Sequence, residues 1–251
     1  VTGLAPGAAL VTGAAQGLGF HIARALHQAG FAVAVTDARV AEAAAAARDI
    51  APNGDRITAF GLDVTDKAAF QAGLAQVQAT FGQVDVLVNN AAMTPTTPVM
   101  DITPDEFDRV IAVNQRGTFF GCQVFGAHFA AQGYGRIINM ASLAGQNGGT
   151  ASGAHYASSK AAILTLTKIF ARQLAANGVT VNAVAPGPID LPSVRALVPP
   201  EKLAQIIDTM IPVKTLGDAD FVADIVVKLA GRDAGFVTGA AWDINGGIFM
   251  R

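Results

Sequence analysis

Cysteine occurs once in this chain of 251 residues, at position 122, which excludes an internal disulfide and any cysteine-rich metal cluster. Tyrosine occurs twice and tryptophan once. Charge is sparse as well: 17 basic and 19 acidic residues give a formal net charge of −2, and neither sign gathers in a long run. That balance excludes the broad basic footprint used to meet nucleic acid or anionic lipid, and it favours a small ligand of little charge. No apolar run approaches the roughly 18–20 residues of a membrane span, and the first ten residues lack the charged-then-apolar layout of a signal peptide. A reducing compartment, the cytoplasm, is the expected location. What the chain has in plenty is apolar residues, 51% of the total, and glycine, of which there are 27. This is the composition of a compact globular protein long enough to bury one substantial core.

Short β-rich apolar runs alternate along the chain with longer helical stretches. Strand-like runs occur at 8–13, 31–37, 56–64, 84–92, 135–142, 179–187 and 240–245, and helical patterning fills 17–29, 38–50, 66–81, 103–133, 156–177 and 219–230. The stretch 38–50 is alanine-rich, and alanine is the best helix former, so it reads as a helix rather than a low-complexity tract. Thr103, Pro104 and the acids that follow form a strong helix start. The alternation predicts an α/β fold: one domain over residues 1–251, a Rossmann-type doubly wound sheet, mainly parallel, of about seven strands with helices on both faces. Residues 188–217 break the rhythm with five prolines and one short amphipathic piece, "EKLAQIIDTMI". They are expected to form an irregular substrate loop.

"TGAAQGLG" places Gly13, Gly17 and Gly19 between the first strand and the first helix. At such a turn backbone N–H groups and the helix dipole face outward and hold a phosphate, so Gly13, Gln16, Gly17, Leu18 and Gly19 are candidates to cradle a dinucleotide pyrophosphate. Three glycines alone also make a tight turn without a ligand. Asp37 strengthens the ligand reading, because it ends the second strand near the distance, about 20 residues on, at which an acid meets the adenosine ribose. Its carboxylate would repel a 2′-phosphate, and Ala14, Ala15 and Gln16 offer no cation for one, although Arg39 lies two residues beyond Asp37. The expected cofactor is therefore NAD rather than NADP.

Tyr156 and Lys160 stand four residues apart in "YASSK", one helical turn apart on one face. A phenol has an ordinary pKa of about 10, so holding it ionised at neutral pH costs roughly 4 kcal/mol, part of which a nearby ammonium supplies. The pair by itself is equally a helix start with a lysine reaching for water. Ser142 follows the fifth strand, at the carboxyl end where open α/β sheets bind ligands, and its hydroxyl is placed to donate to a substrate oxygen. Asn114 lies inside a predicted helix, where an amide is neither a favoured helix former nor a natural core residue. Taken singly these are a loop serine and a solvated asparagine; with the glycine turn they make a consistent hydride-transfer site.

In order and approximate spacing, "TGAAQGLG", "LDV", "NNA", Asn114, Ser142, "YASSK" and the Pro186-Gly187 pair resemble the short-chain dehydrogenases/reductases over essentially the whole chain. The resemblance implies that Tyr156 is the general acid/base. Lys160 would lower its pKa and bind the nicotinamide ribose, Ser142 would orient the substrate oxygen, and Asn114 would hold a water in a proton relay with Lys160. It also implies that Asp63 and Val64 flank the adenine, that Asn90 and Ala91 lie along the cofactor, and that Pro186, Gly187 and Ile189 line the nicotinamide side. Two positions depart from the family pattern: Ala92 stands where glycine is common, and Leu191 where a threonine often bonds the carboxamide.

The implied activity is NAD(H)-dependent interconversion of a secondary alcohol and a ketone, with no metal. A reductase of 3-oxoacyl groups on an acyl carrier protein is the second reading, and a non-catalytic dinucleotide-binding module the third. The lack of G-x-S-x-G argues against a serine hydrolase and leaves His155 as a pocket-rim residue, and the lack of any Gly-Lys pair excludes a P-loop. Residues 92–98, 143–153 and 188–215 are expected to wall the pocket; they are largely apolar, which favours alicyclic or aromatic alcohols and ketones. Lys202, Lys214 and Arg195 keep an acidic substrate open. No nucleic acid or membrane partner is expected. The apolar end "WDINGGIFMR" and the family resemblance imply packing at a subunit interface, in a homotetramer or a homodimer.

Overall fold

The computed structural model describes residues 7–149 and 153–250, apart from the side chains of Ser193 and Leu197. Among them, seven strands form one sheet, β1 (Ala8–Thr12), β2 (Ala32–Asp37), β3 (Ile57–Gly61), β4 (Val86–Asn89), β5 (Gly135–Met140), β6 (Val179–Pro186) and β7 (Ala241–Ile244). Their order is β3-β2-β1-β4-β5-β6-β7, and every pairing is parallel. The chain winds outward from β1 to β3, then returns to lay β4 on the free side of β1. That reversal makes the crevice between the carboxyl ends of β1 and β4 the place where such sheets take ligands. The five inner strands are almost wholly buried, as their runs of Val, Ile, Leu and Ala require of a sheet covered on both sides. The edge strands β3 and β7 are partly exposed.

Helices α1 (Gly17–Gln28), α2 (Val40–Ile50) and α3 (Lys67–Phe81) follow the first three strands. Next come α4 (Pro104–Val110) and α5 (Gly117–Gln132), then α6 (Ala144–Asn147) and α7 (Ala154–Leu174). The last are α8 (Pro192–Leu197), α9 (Pro200–Met210) and α10 (Ala219–Ala230). One apolar layer joins α1, α2 and α10 to one face of the sheet through Ile22, Leu26, Ala43, Val222 and Val226. The other joins α3, α5 and α7 to the opposite face through Phe70, Val77, Phe125, Phe129 and Leu174. Local chemistry starts and stops these helices. Asp66 caps α3 by accepting from Ala68 N at 2.8 Å, Thr103 caps α4 by accepting from Glu106 N at 3.2 Å, and Gly82 and Gly133 end α3 and α5 at positive φ. No helix among the described residues is long and apolar enough to cross a membrane.

The fold departs from two expectations. The helix expected over 103–133 is not uniform: between α4 and α5, Ile111–Arg116 form a π-helical turn. Residues 188–217 are not an irregular loop, since they fold into α8 and α9. Pro192 and Pro200 sit at the first positions of these helices, where a missing N–H costs nothing. The two ends of this excursion are pinned together, with Asp190 N donating to Gly217 O at 2.8 Å and Gly217 N to Pro188 O at 2.9 Å. It is a helical flap on a narrow base.

Candidate active site

Thr12 ends β1, and its side chain binds β1 and β4 together at the crevice. Its Oγ1 donates to Val88 O at 3.3 Å and accepts from Asn90 N at 3.0 Å and Ala91 N at 3.1 Å. Asn90 Nδ2 donates to the carbonyls of Thr12 at 2.9 Å and Gly13 at 3.0 Å. Asn90 therefore braces the glycine turn through its side chain. A Cβ on Gly19 would lie 2.3 Å from Gly13 O, and one on Gly13 2.7 Å from Ala91 Cα, so these two glycines are required by close backbone packing. Gly17 differs: its φ is +56°, yet a Cβ there would meet nothing within 4 Å. That open space faces the first turn of α1, whose cap residue Gln16 makes no side-chain capping bond. An uncapped helix start beside open space fits a phosphate.

The acid at the end of β2 is already engaged. Asp37, nearly buried, accepts from Arg39 N at 3.0 Å and from Arg39 Nε at 3.1 Å, and Arg39 Nη1 reaches Gln16 Oε1 at 3.4 Å. The guanidinium thus lies across the mouth of the turn with its charge spent on Asp37. Asp63 follows β3 and holds its own turn, accepting from Thr65 N at 2.9 Å. Val64 packs against Gly117, at the start of α5. On the other side, Leu143 N donates to Pro186 O at 2.9 Å and Gly187 N to Ile244 O at 2.8 Å, which ties the loop bearing Ser142 to the end of β6. Ile189 is buried beside this edge. These residues fit a dinucleotide laid along the carboxyl edge from Asp37 to Ile189.

Tyr156, in the first turn of α7, is hydrogen-bonded through its phenol to the side chains of Ser142 and Thr94. Burial pushes the phenol above its ordinary range, and these two hydrogen bonds oppose that by favouring the phenolate. Lys160 is buried one turn on; its Nζ lies 5.7 Å from the centre of the Tyr156 ring and donates to Met140 O at 2.6 Å. Burial pulls its pKa down to about 8. Removal from water is thus the largest influence on both groups.

Asn114 is fully buried in the π-helical turn, not on a solvated face. Its Oδ1 accepts from Met93 N at 2.8 Å, and its Nδ2 donates to Met93 O at 2.9 Å and Ser159 Oγ at 3.1 Å. Ser159 in turn donates to Tyr156 O at 2.7 Å. With both amide protons and one lone pair of the oxygen engaged, Asn114 staples together the turn, the loop after β4 and α7. His155 is not at the pocket rim either. Its ring has no exposed surface; its Nε2 donates to Glu106 Oε1 of α4 at 2.8 Å, and Phe107 stacks on it at 6.5 Å between ring centres. Of the expected pocket walls, 150–152 lie outside the described residues. Within the flap, Arg195 is clamped to Asp190 by two 2.6 Å bonds, and Lys214 bonds the carbonyl of Asp208.

The geometry thus joins a glycine turn, a strand-end acid and a serine–tyrosine–lysine cluster along one sheet edge. Residues 13–248 match the family described as enoyl-(acyl carrier protein) reductase. The acetoacetyl-CoA reductase of Shinella zoogloeoides is 41% identical over 243 residues, covering 96% of this chain and 98% of its own. This chain belongs to the short-chain dehydrogenase/reductase family. Another member, the (3R)-3-hydroxyacyl-CoA dehydrogenase of Mus musculus, is 38% identical with 96% of each chain covered. A crystal structure described as a short-chain alcohol dehydrogenase from Sinorhizobium meliloti 1021 superposes with a TM-score of 0.91 at 31% identity, covering 98% of this chain and 97% of its own.

Within this short-chain dehydrogenase/reductase, the two departures fall at different places. Ala92 is exposed on the loop after β4, whereas Leu191 is half-buried against the apolar layer of α1 and α10 and caps α8 with its backbone. Sequence reading missed Thr94, Glu106 and Ser159. Thr94 and Ser159 lie within short polar stretches that carry no spacing signal, and Glu106 reads only as a helix-start acid. Tertiary contact alone gives them their partners.

Proposed function

We propose that this short-chain dehydrogenase/reductase interconverts a secondary alcohol and a ketone with NAD(H), and that its substrate is a 3-oxoacyl or 3-hydroxyacyl thioester of coenzyme A. The observation that carries the reaction is the meeting of Tyr156, Ser142 and Lys160 at the carboxyl edge, next to the open glycine turn. When bound, NAD(H) supplies the hydride donor or acceptor. Tyr156 holds the proton that joins or leaves the substrate oxygen. Ser142, already bonded to that phenol, orients the same oxygen. Lys160 places a buried ammonium beside the ring and would hold a ribose hydroxyl of the bound cofactor. Asp37 favours NAD(H) by presenting a carboxylate where NADP(H) carries phosphate.

The thioester choice rests on relatives that act on acetoacetyl-CoA and 3-hydroxyacyl-CoA by name. A simple apolar alcohol or ketone is the second reading, favoured by the structural neighbour described as an alcohol dehydrogenase and by the apolar flap. A homotetramer belongs to the same reading, supported by exposed Ile169, Phe221, Phe236 and Met250, and light scattering of the purified chain tests it. The functional test is oxidation of NADH and NADPH in parallel with acetoacetyl-CoA, free acetoacetate esters and cyclic ketones. Acetoacetyl-CoA is expected to turn over with NADH. A preference for cyclic ketones sinks the thioester assignment, and turnover with NADPH alone sinks the cofactor assignment. Tyr156→Phe is expected to lose roughly a hundredfold to ten-thousandfold in kcat. Parental kcat in that variant removes Tyr156 from the chemistry.

A further inference from the structure

The proposed reaction makes no use of one buried titratable group, His155, which is next to Tyr156 in sequence. Tyr156 N donates to His155 Nδ1 at 3.1 Å, so the lone pair is on Nδ1 and the ring proton on Nε2, which donates to Glu106 Oε1 at 2.8 Å. The same carboxylate oxygen accepts from Thr97 Oγ1 at 2.7 Å. Glu106 therefore joins two things through one atom: the first turn of α7, by way of His155, and the loop after β4, by way of Thr97. The loop and α7 also meet directly, where Gly153 N donates to Pro95 O at 3.0 Å. A Cβ at Gly153 would lie 2.3 Å from His155 Cε1, so the ring fills the space that glycine leaves.

Both partners of this bridge touch the reacting group. The loop carries Thr94, whose side chain bonds the Tyr156 phenol, and the helix turn carries Tyr156 itself. The geometry points to Glu106 and His155 as a positioning pair that sets the phenol of Tyr156 against Thr94 and Ser142 by fixing the helix start and the loop to one carboxylate oxygen. Nδ1 of His155 faces the N–H of Tyr156 and Nε2 faces Glu106, so each ring nitrogen has one partner. The pair works by geometry rather than charge, and an amide oxygen at position 106 serves equally. This inference rests on Tyr156 being the acid/base of the proposed reaction.

The presence of only two tyrosines allows a test that needs no turnover. With Tyr134→Phe as background, the phenolate absorbance reports Tyr156 alone. His155→Ala and Glu106→Ala are expected to move its titration midpoint down toward the free-phenol value of about 10, as the loop loosens and water reaches the oxygen. Glu106→Gln is expected to keep the parental midpoint. With acetoacetyl-CoA and NADH, the two alanine variants are expected to lose about tenfold to a hundredfold in kcat while KM for NADH stays unchanged, and Glu106→Gln to restore kcat. Glu106→Ala keeps the test open if His155→Ala does not fold, since Glu106 lies near the surface. An unmoved midpoint in Glu106→Ala overturns the inference, as does a Glu106→Gln protein that behaves like Glu106→Ala. If the parent fails to reduce acetoacetyl-CoA but the midpoints move as stated, the substrate assignment fails and the positioning pair stands.

Discussion

Lys160 shows how much one residue gives up for its place in the site. Burial pulls its pKa from 10.5 to about 8, so below pH 8 the folded protein carries the whole cost of a buried ammonium. Between about pH 8 and 10.5 the folded state releases that proton while the unfolded chain keeps it, so the unfolded chain binds more protons and stability rises with pH. Tyr156, whose phenol is pushed up, acts in the opposite sense, since the unfolded chain gives up that proton first as the pH rises toward and past about 10. Lys160→Met is expected to raise Tm at neutral pH and to abolish the alkaline rise, as measured by calorimetry at several pH values. A variant that keeps the rise assigns it to another group. Asp37 makes a different sacrifice: its carboxylate is spent on holding the Arg39 guanidinium. Asp37→Ser removes the charge that repels a 2′-phosphate and frees the guanidinium to meet it. The ratio of kcat/KM for NADPH to that for NADH is expected to rise by about tenfold or more. An unchanged ratio places the cofactor choice elsewhere.

At the scale of elements, the site depends on how closely α6 lies on α7. A Cβ on Gly145 would stand 2.5 Å from the carbonyl carbon of Lys160 and 2.6 Å from Ala161 N, and backbone atoms cannot rotate aside. Gly145→Ala is therefore expected to cost about 1–3 kcal/mol, a fall in Tm of a few degrees, and to lower kcat by shifting Lys160. Calorimetry with parallel turnover checks both, and an unchanged Tm shows that the two helices have slack. The helix α6 itself leaves no mark in the sequence, being only four residues long. The flap escapes a sequence pattern for a more general reason. Pro192 and Pro200 look like breaks, but proline ends a helix only from its interior; in the first turn it begins one. The π-helical turn at Asn114 is hidden because it adds too little to the helical period to register in a pattern of apolar residues. Its cause is tertiary: it accompanies a buried amide bonded to both Met93 and Ser159.

Across the whole molecule, binding and stability are linked. The glycine turn joins β1 to α1, Asp37 ends β2, Asn90 follows β4 and Pro186 ends β6, so the proposed dinucleotide would touch most of the sheet. A ligand that binds only the folded state at a hundred times its Kd adds about 2.7 kcal/mol, or about 5–10 °C in a chain of this size. NADH is expected to raise Tm by that amount and NADPH at the same concentration by much less, read by differential scanning fluorimetry. Equal shifts would overturn the cofactor preference.

The order of strands and helices, the glycine turn, Asp37 and the Tyr156–Lys160 spacing were determined by the sequence alone, because each is written in local periodicity or in a fixed offset along the chain. What only the tertiary structure decided is who meets whom across long separations. Glu106 and His155 are 49 residues apart, Asn114 and Ser159 are 45 apart, and neither pair follows from any local rule. The ionisation of Tyr156 and Lys160 belongs to this second group as well. A four-residue offset puts the two side chains on one face, but burial, which no offset records, sets the direction in which each of them titrates.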